Sequence, residues 1–390
     1  MKYFDYNATT PMSPGAHAAW LEAQETAWQN PSGLYRSGIR TKVRLEKARD
    51  RLAALFDVNP ETLIFCSGAT EACNLWVRSF FENPKHAGQK VLASAQEHSC
   101  MRGSLSTFGG DRVQWFSPHR REAIDTVAEA LETQSDLGAV VMMAANNETG
   151  ICYPWQEIAD TCRRRGIPFF CDTSQWIGKM SLDGFDRLDY FCASAHKFGG
   201  PKGVGFLKVS KRFPTVRGSV GGGQEWGIRA GTENYPAIEA MVAALEACQE
   251  QIRQADFLNK RFLWLKDFAD GLKKRVPGSV IHGEGYPTLW NTASISVPLK
   301  ASRYWINALE EHGFEVSGGA ACNAGKKGLS PVLKDMGFPD SFANSTLRIS
   351  SGWETRKDDW KALLDALVKV YEAFSDEDGD LTEVISLDSF

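Results

Sequence analysis

Ser194-Ala-His-Lys-Phe-Gly-Gly-Pro-Lys-Gly-Val-Gly205 sets a lysine directly after an apolar run, Leu188 to Ala193, and ahead of a glycine-rich turn. With Val204 to Val209 behind it, the stretch reads as strand, lysine, tight turn, strand. A lysine held at a strand end among weakly polar neighbours is a candidate for a depressed pKa and Schiff-base chemistry. The plainer alternative is a surface lysine before a loop. A second stretch, Ser67-Gly-Ala69-Thr70-Glu71, joins a short apolar strand to an apolar helical segment. Unpaired backbone N–H groups at such a helix start suit a phosphate; a simple Ser/Thr cap with an acidic first turn is the alternative. The third is Val316-Ser-Gly-Gly-Ala-Ala-Cys322-Asn-Ala-Gly-Lys-Lys-Gly-Leu329. Cys322 has small and basic neighbours instead of bulky apolar ones. This context favours a loop position and a thiolate, and so a reactive role.

The elements that must position these groups alternate along the chain. Strands are expected near residues 62–67, 90–95, 112–116, 137–145, 167–171, 188–193 and 204–209. Helices are expected over 16–28, 39–56, 72–81, 121–132 and 155–165. Apolar strands separated by helices argue for an α/β fold whose mainly parallel sheet is covered on both faces. Ligands in such sheets bind beyond the carboxyl ends of the strands. Thr70, His98, Asn147, Asp172, Gln175, His196 and Lys197 all follow apolar strands at such ends. Each has an ordinary explanation singly; together they suggest one site. Beyond Val209, the glycine-rich run from Gly221 to Asn234 reads as a long loop. A long helix over 236–274, with a possible break midway, then leads into an α+β module. That module has a strand at 290–297, a helix at 302–312, a strand at 346–350 and an amphipathic helix at 357–374. The acidic tail, Ser375 to Phe390, is expected to be loosely ordered.

Composition excludes several classes. In 390 residues with a net charge of −4, 43% hydrophobic and 24% charged, nothing suggests nucleic-acid binding or a membrane-surface patch. No run approaches the roughly 18 apolar residues of a membrane span, and no signal peptide is expected at the N-terminus. Nine cysteines without a spacing framework point to a reducing, cytoplasmic setting. No CxxC or CxxH pair occurs, so no metal site is expected. Most of the cysteines read as small core residues. Cys100, two residues past His98, reads as a packing residue or a second thiol near the site.

Taken together, these stretches resemble the class V aminotransferases, and specifically cysteine desulfurases of the NifS/IscS-like kind. The match rests on Tyr3-Phe-Asp-Tyr-Asn-Ala-Thr-Thr-Pro11, Ser67 to Glu71, Glu97-His98, Asn146-Asn-Glu-Thr-Gly150 and Asp172 with Gln175. It continues through Ser194 to Lys197, Gly200 to Gly203, Gly221 to Glu225, Arg229 to Thr232, Ser317 to Cys322 and Leu347-Arg348.

The resemblance implies a pyridoxal 5′-phosphate-dependent fold of type I with a seven-stranded, mainly parallel sheet. It implies a large domain over 16–257, a small domain over 1–15 and 258–375 carrying the cysteine loop, and an acidic tail over 376–390. Pyridoxal 5′-phosphate is then carried on Lys197. Asp172 pairs with the pyridinium nitrogen and makes the ring an electron sink. Gln175 bonds the ring hydroxyl, and His98 stacks on the ring and moves protons. Ala69, Thr70, Ser194 and His196 hold the phosphate, with Thr232 reaching the cofactor of a partner subunit in a homodimer. Asn147 and Arg348 grip the carboxylate of L-cysteine, arginine through its bidentate fork. Cys322 takes the sulfur as a persulfide and passes it to an acceptor protein, for iron–sulfur cluster assembly, tRNA thiolation or a thio-cofactor.

The chain departs from the family pattern in places. Trp226 stands where arginine is usual, Gly319 and Ala320 replace a serine-rich approach to the cysteine, and Asn323 replaces threonine or serine. These positions bear on acceptor choice, as does the tail, which lacks the segment that housekeeping members use to hold the iron–sulfur scaffold. A selenocysteine lyase or another class V aminotransferase is the nearest alternative, although plain transamination needs no thiol. A nucleotide-binding module is disfavoured because G-x-x-x-x-G-K-[ST] does not occur.

Overall fold

In the computed structural model, the structure describes residues 1–118, 120–213, 216–319, 330–339, 342 and 344–387. It divides into two compact units.

The larger unit comprises Thr9–Asn146 and Cys152–Gln254. Its seven strands lie in the spatial order Leu63–Cys66, Gly205–Lys208, Tyr190–Ser194, Phe169–Asp172, Leu137–Val141, Lys90–Ser94, Val113–Phe116. Gly205–Lys208 runs antiparallel to both its neighbours, and every other pairing is parallel. This is the expected sheet. Parallel neighbours need crossover connections, here supplied by helices such as Arg120–Thr133 and Trp155–Arg165. Strands covered on both faces need apolar residues at every position, and Leu137–Val141 and Tyr190–Ser194 are buried throughout. Trp76, on the helix Ala69–Glu82, packs its ring 4.9 Å from Phe170 and 5.7 Å from Tyr190. That contact fixes the helix against the central strands.

The smaller unit comprises Met1–Ala8, Asn147–Ile151 and Ala255–Phe390. The units thus divide after Ala8 and Gln254, whereas the sequence placed the boundaries after residues 15 and 257. A four-stranded antiparallel sheet, in the order Ser317–Gly318, Thr346–Ser350, Thr292–Ser296, Val280–His282, packs on helices around Phe4, Phe268, Trp305 and Trp360. Lys2–Tyr3 pairs in parallel with Phe314–Glu315.

Two elements differ from expectation, and the break allowed for in the long helix is present. Ser99–Gly109 is helical, although its Ser- and Gly-rich sequence has little intrinsic helix preference. The long helix is two, Tyr235–Arg253 and Phe257–Arg275, broken where Asp256 adopts a left-handed conformation at φ 63°. The last helix runs from Lys357 to Leu387, well past residue 374 and through most of the acidic tail.

Candidate active site

The lysine turn is built from the backbone outward. Tyr190–Ser194 ends in a single 3₁₀ turn, Ala195–Lys197, closed by bonds from Phe198 N and Gly200 N to the Ala195 carbonyl (3.0 and 2.9 Å). Gly199 sits at φ 86°, and a Cβ on Gly200 would come within 2.7 Å of Ala195 Cβ. Both glycines are therefore steric requirements of the turn. The segment after Ala8 clamps it from outside. Thr10 N and Thr10 Oγ1 donate to the His196 carbonyl (2.8 and 3.0 Å), Thr10 Oγ1 accepts from Gly199 N (2.8 Å), and Ser13 N donates to the Gly199 carbonyl (2.8 Å). Lys197 is left half-buried.

Beside it lies the start of the helix Ala69–Glu82. Gly68 caps it at φ 149°, and Ser194 Oγ accepts from Ala69 N at 2.8 Å. A Cβ on Gly205 would fall 2.7 Å from Gly68 Cα and 2.3 Å from the Ala193 carbonyl oxygen. Only glycine lets strand and helix start approach this closely. Glu71 Oε2 accepts from Ser67 N (2.6 Å) and Glu71 Oε1 pairs with Arg229 Nε (2.9 Å). Burial alone would raise the Glu71 carboxyl, but the hydrogen bonds from Arg229 and Ser67 bring it below its ordinary value. Thr70 is exposed at this helix start.

Asp172 ends the strand Phe169–Asp172 and is buried. Its Oδ1 accepts from Ser174 N at 2.9 Å, which fixes the carboxyl in a tight turn. Gln175 is buried and accepts from the ammonium of Lys179, itself only 3% exposed. His98 caps the helix Ser99–Gly109, its Nδ1 accepting from Cys100 N at 3.3 Å. That leaves the proton of the neutral ring on Nε2. His196 Nδ1 lies 3.1 Å from Thr9 Oγ1. Burial, reinforced by Lys197 and Lys202, lowers the His196 pKa to about 4, so the ring is neutral at pH 7. Thr232 is exposed.

Glu97 goes beyond what the sequence reading assigned, which used it only as part of a motif. It is fully buried, its Oε1 accepts from Met143 N at 2.5 Å, and its Oε2 has no partner among the described residues. Burial, and after it the charge of Asp172, push this carboxyl well above its ordinary value. The sequence signal was an acid three residues past the end of an apolar strand.

In the smaller unit, Arg348 lies on the strand Thr346–Ser350, opposite Ser294 and Ser317. It is 2% exposed, with Nη2 on Asp5 Oδ1 (2.7 Å) and Nη1 on the Asn147 carbonyl (3.2 Å). Its Nε has no partner among the described residues. Asn147 is also buried, and its carbonyl additionally accepts from Asn7 Nδ2 at 3.2 Å. Cys322, with Ala320 and Asn323, lies outside the described residues.

Trp226 sits over the Arg49 guanidinium at 4.5 Å. It and Glu225 are consecutive non-glycine residues at φ 53° and 47°. That strain is offset by a bidentate pair from Glu225 to Arg49 (2.8 and 2.9 Å) and by a bond from Phe65 N (2.8 Å).

A fold of this kind, with a lysine turn beside a glycine-lined helix start and a buried acid at a neighbouring strand end, defines a class. The sequence pattern of the aminotransferase class-V family matches residues 2–363. The chain belongs to that family, and within it to the NifS/IscS-like cysteine desulfurases. It is 30% identical over 381 residues to a protein of Arabidopsis thaliana named mitochondrial cysteine desulfurase, covering 95% of this chain and 82% of that one. An IscS-like cysteine desulfurase of Mycobacterium tuberculosis is 31% identical over 378 residues, covering 94% and 95%. Among solved structures, a NifS-like protein superposes with a TM-score of 0.84 at 26% identity, covering 96% and 99% of the two chains. The protein SspA, solved in complex with cysteine, gives 0.74 at 26% identity, covering 90% and 98%.

Proposed function

We propose that this chain is a pyridoxal 5′-phosphate-dependent cysteine desulfurase. It converts L-cysteine to L-alanine and loads the sulfur onto Cys322 for transfer to an acceptor protein. The observation that carries this reading is the bond from Ala69 N to Ser194 Oγ. It ties an anion-binding helix start to the strand that delivers Lys197.

The residues fit the cofactor. The helix start at Gly68, which only the missing side chain of Gly205 lets the strand approach this closely, suits a phosphate held by Ala69, Thr70, Ser194 and a neutral His196. Asp172 is a buried acid for the ring nitrogen, Gln175 a donor for the ring oxygen, and His98 a flat partner for the ring face. Bound there, pyridoxal 5′-phosphate supplies an electron sink for bonds at the substrate α-carbon.

The chain's own groups do the rest. Lys197 moves the α-proton. Arg348, with Asn147, holds the substrate carboxylate, Nε being the guanidinium nitrogen that has no partner among the described residues. The Cys322 thiolate forms the S–S bond to the substrate sulfur as the C–S bond breaks. A proton completes the methyl group of alanine, so thiol plus cysteine yields persulfide plus alanine.

A homodimer is supported by exposed apolar residues around one helix start, Trp28, Leu34, Tyr35, Ile39 and Val43, a surface that invites a partner. Thr232 reaches the partner's cofactor. A reducing, cytoplasmic setting agrees with the eight described cysteines all being free, and among the described residues no helix is long and apolar enough to cross a membrane. The acceptor serves iron–sulfur assembly or thiolation.

Absorption spectroscopy tests the cofactor assignment. Wild type titrated with pyridoxal 5′-phosphate gains a visible band that borohydride fixes to the peptide containing Lys197. A colourless protein, or a label on another lysine, overturns the assignment.

A further inference from the structure

Gln175 and Lys179 stand on one tight turn that follows the strand Phe169–Asp172. Trp176 N and Ile177 N both donate to the Thr173 carbonyl (2.9 Å each), and Lys179 N donates to the Trp176 carbonyl at 3.0 Å. Thr173 Oγ1 donates to the Cys192 carbonyl at 2.8 Å, which ties the turn to the strand leading to Lys197. Gly178 sits at φ 80°, and a Cβ there would fall 2.2 Å from the Cβ of Phe198, the residue after Lys197. The turn is thus fixed at two points against the strand and turn that carry Lys197. Lys179 is 3% exposed and Gln175 4%, and the Lys179 ammonium donates to Gln175 Oε1.

We propose that Lys179 is a positioning residue that makes the Gln175 carboxamide an obligatory hydrogen-bond donor to the ring oxygen of the cofactor, an inference that rests on the pyridoxal 5′-phosphate reading above. A glutamine amide is ambivalent. Its oxygen accepts, its NH₂ donates, and a half-turn about the last torsion exchanges them. An ammonium has three donors and no acceptor. Lys179 can therefore face only the oxygen end of the amide, and that settles which end is which. With Oε1 held by Lys179, Gln175 meets the ring oxygen through Nε2. A donor there favours the anionic form of that oxygen, because a hydrogen bond to the charged form stabilises it. The amide alone does not guarantee this, since its flipped form would set an acceptor on the same oxygen. A buried ammonium is costly, and the fold places one directly against the side chain assigned to the ring oxygen.

The test reads cofactor absorption and affinity without substrate. Wild type, Lys179→Met, Lys179→Gln and Lys179→Arg are titrated with pyridoxal 5′-phosphate, each also in a Gln175→Ala background, with urea midpoints as a check on folding. Wild type is expected to hold the cofactor with a visible band. Lys179→Met lacks the donor. Its absorption is expected to shift from the visible band toward the near ultraviolet as the ring oxygen gains a proton, with Kd raised about tenfold, the loss of one charge-assisted hydrogen bond. Lys179→Gln, able to turn either end to Gln175, shifts the same way but less, and carries the test where Lys179→Met does not fold. Lys179→Arg, which keeps donors and adds no acceptor, retains the wild-type band and Kd. In the Gln175→Ala background no Lys179 substitution changes spectrum or Kd further. A merely structural lysine would move both backgrounds alike; that result, or an unchanged spectrum in Lys179→Met, overturns the inference while leaving the cofactor reading intact. A wild type that takes up no cofactor overturns the pyridoxal 5′-phosphate reading itself, and the inference with it.

Discussion

Ser194 Oγ accepts a 2.8 Å hydrogen bond from the amide of Ala69, 125 residues earlier in the chain. One hydroxyl thus ties the strand leading to Lys197 to the first turn of the helix proposed to hold the cofactor phosphate. Ser194→Ala leaves the Ala69 amide buried without its acceptor, which costs about 1–3 kcal/mol. Urea denaturation should show that loss, and titration with pyridoxal 5′-phosphate should show affinity weakened by roughly tenfold or more. Unchanged affinity would separate the helix start from the cofactor.

Glu97 carries a pH dependence whose sign follows from its environment. Its carboxyl is raised by burial and then by Asp172, so the folded chain keeps a proton that the unfolded chain loses near pH 4.3. Stability therefore falls as pH rises above that value toward the folded pKa. Glu97→Gln removes the ionisation while keeping an acceptor for Met143 N. The variant should match wild type near pH 4 and exceed it at pH 7.5 in urea midpoints; equal stability at both pH values would refute the assignment.

The pair between Glu225 and Arg49 is almost fully buried, with side chains 1% and 3% exposed. Glu225→Ala leaves the Arg49 charge and the Phe65 amide without this partner. Loss of one member of a buried pair costs about 3–5 kcal/mol, to be read from chemical denaturation. A cost below about 1 kcal/mol would mean that water or Glu46, 3.0 Å from Arg49, takes over.

Much of this arrangement was legible in the sequence. Six of the seven sheet strands show as apolar runs, because a strand covered on both faces tolerates little else; the edge strand Val113–Phe116 is only partly buried. The lysine turn shows through Gly199 and Gly200, which the backbone requires. What local pattern could not show was pairing over distance. The bond from Ala69 to Ser194, the Thr10 clamp on the lysine turn and the approach of Cys100 Sγ to Cys73 Sγ (3.9 Å) all depend on how separate elements stack. The helix Ser99–Gly109 was missed because tertiary packing of Met101 and Leu105 outweighs its poor propensity. The break at Asp256 has no proline or glycine to mark it.

Arg348 tests the substrate end. Lysine cannot reproduce the planar fork of a guanidinium, and a hydrogen bond to a charged group is worth about 1.5–3 kcal/mol. Arg348→Lys should raise KM for L-cysteine by roughly 10- to 150-fold and leave the visible spectrum of the cofactor intact. An unchanged KM would remove Arg348 from substrate binding.

The account's central claim is that Cys322 takes sulfur from L-cysteine at a site served by Lys197. Its most direct test is a paired assay of sulfide, released with a reducing thiol, and alanine from L-cysteine, using wild type, Lys197→Ala and Cys322→Ala. The account predicts equimolar sulfide and alanine from wild type, neither product from Lys197→Ala, and from Cys322→Ala a coloured protein that binds cysteine but releases no sulfide. Undiminished desulfuration by Cys322→Ala would contradict it.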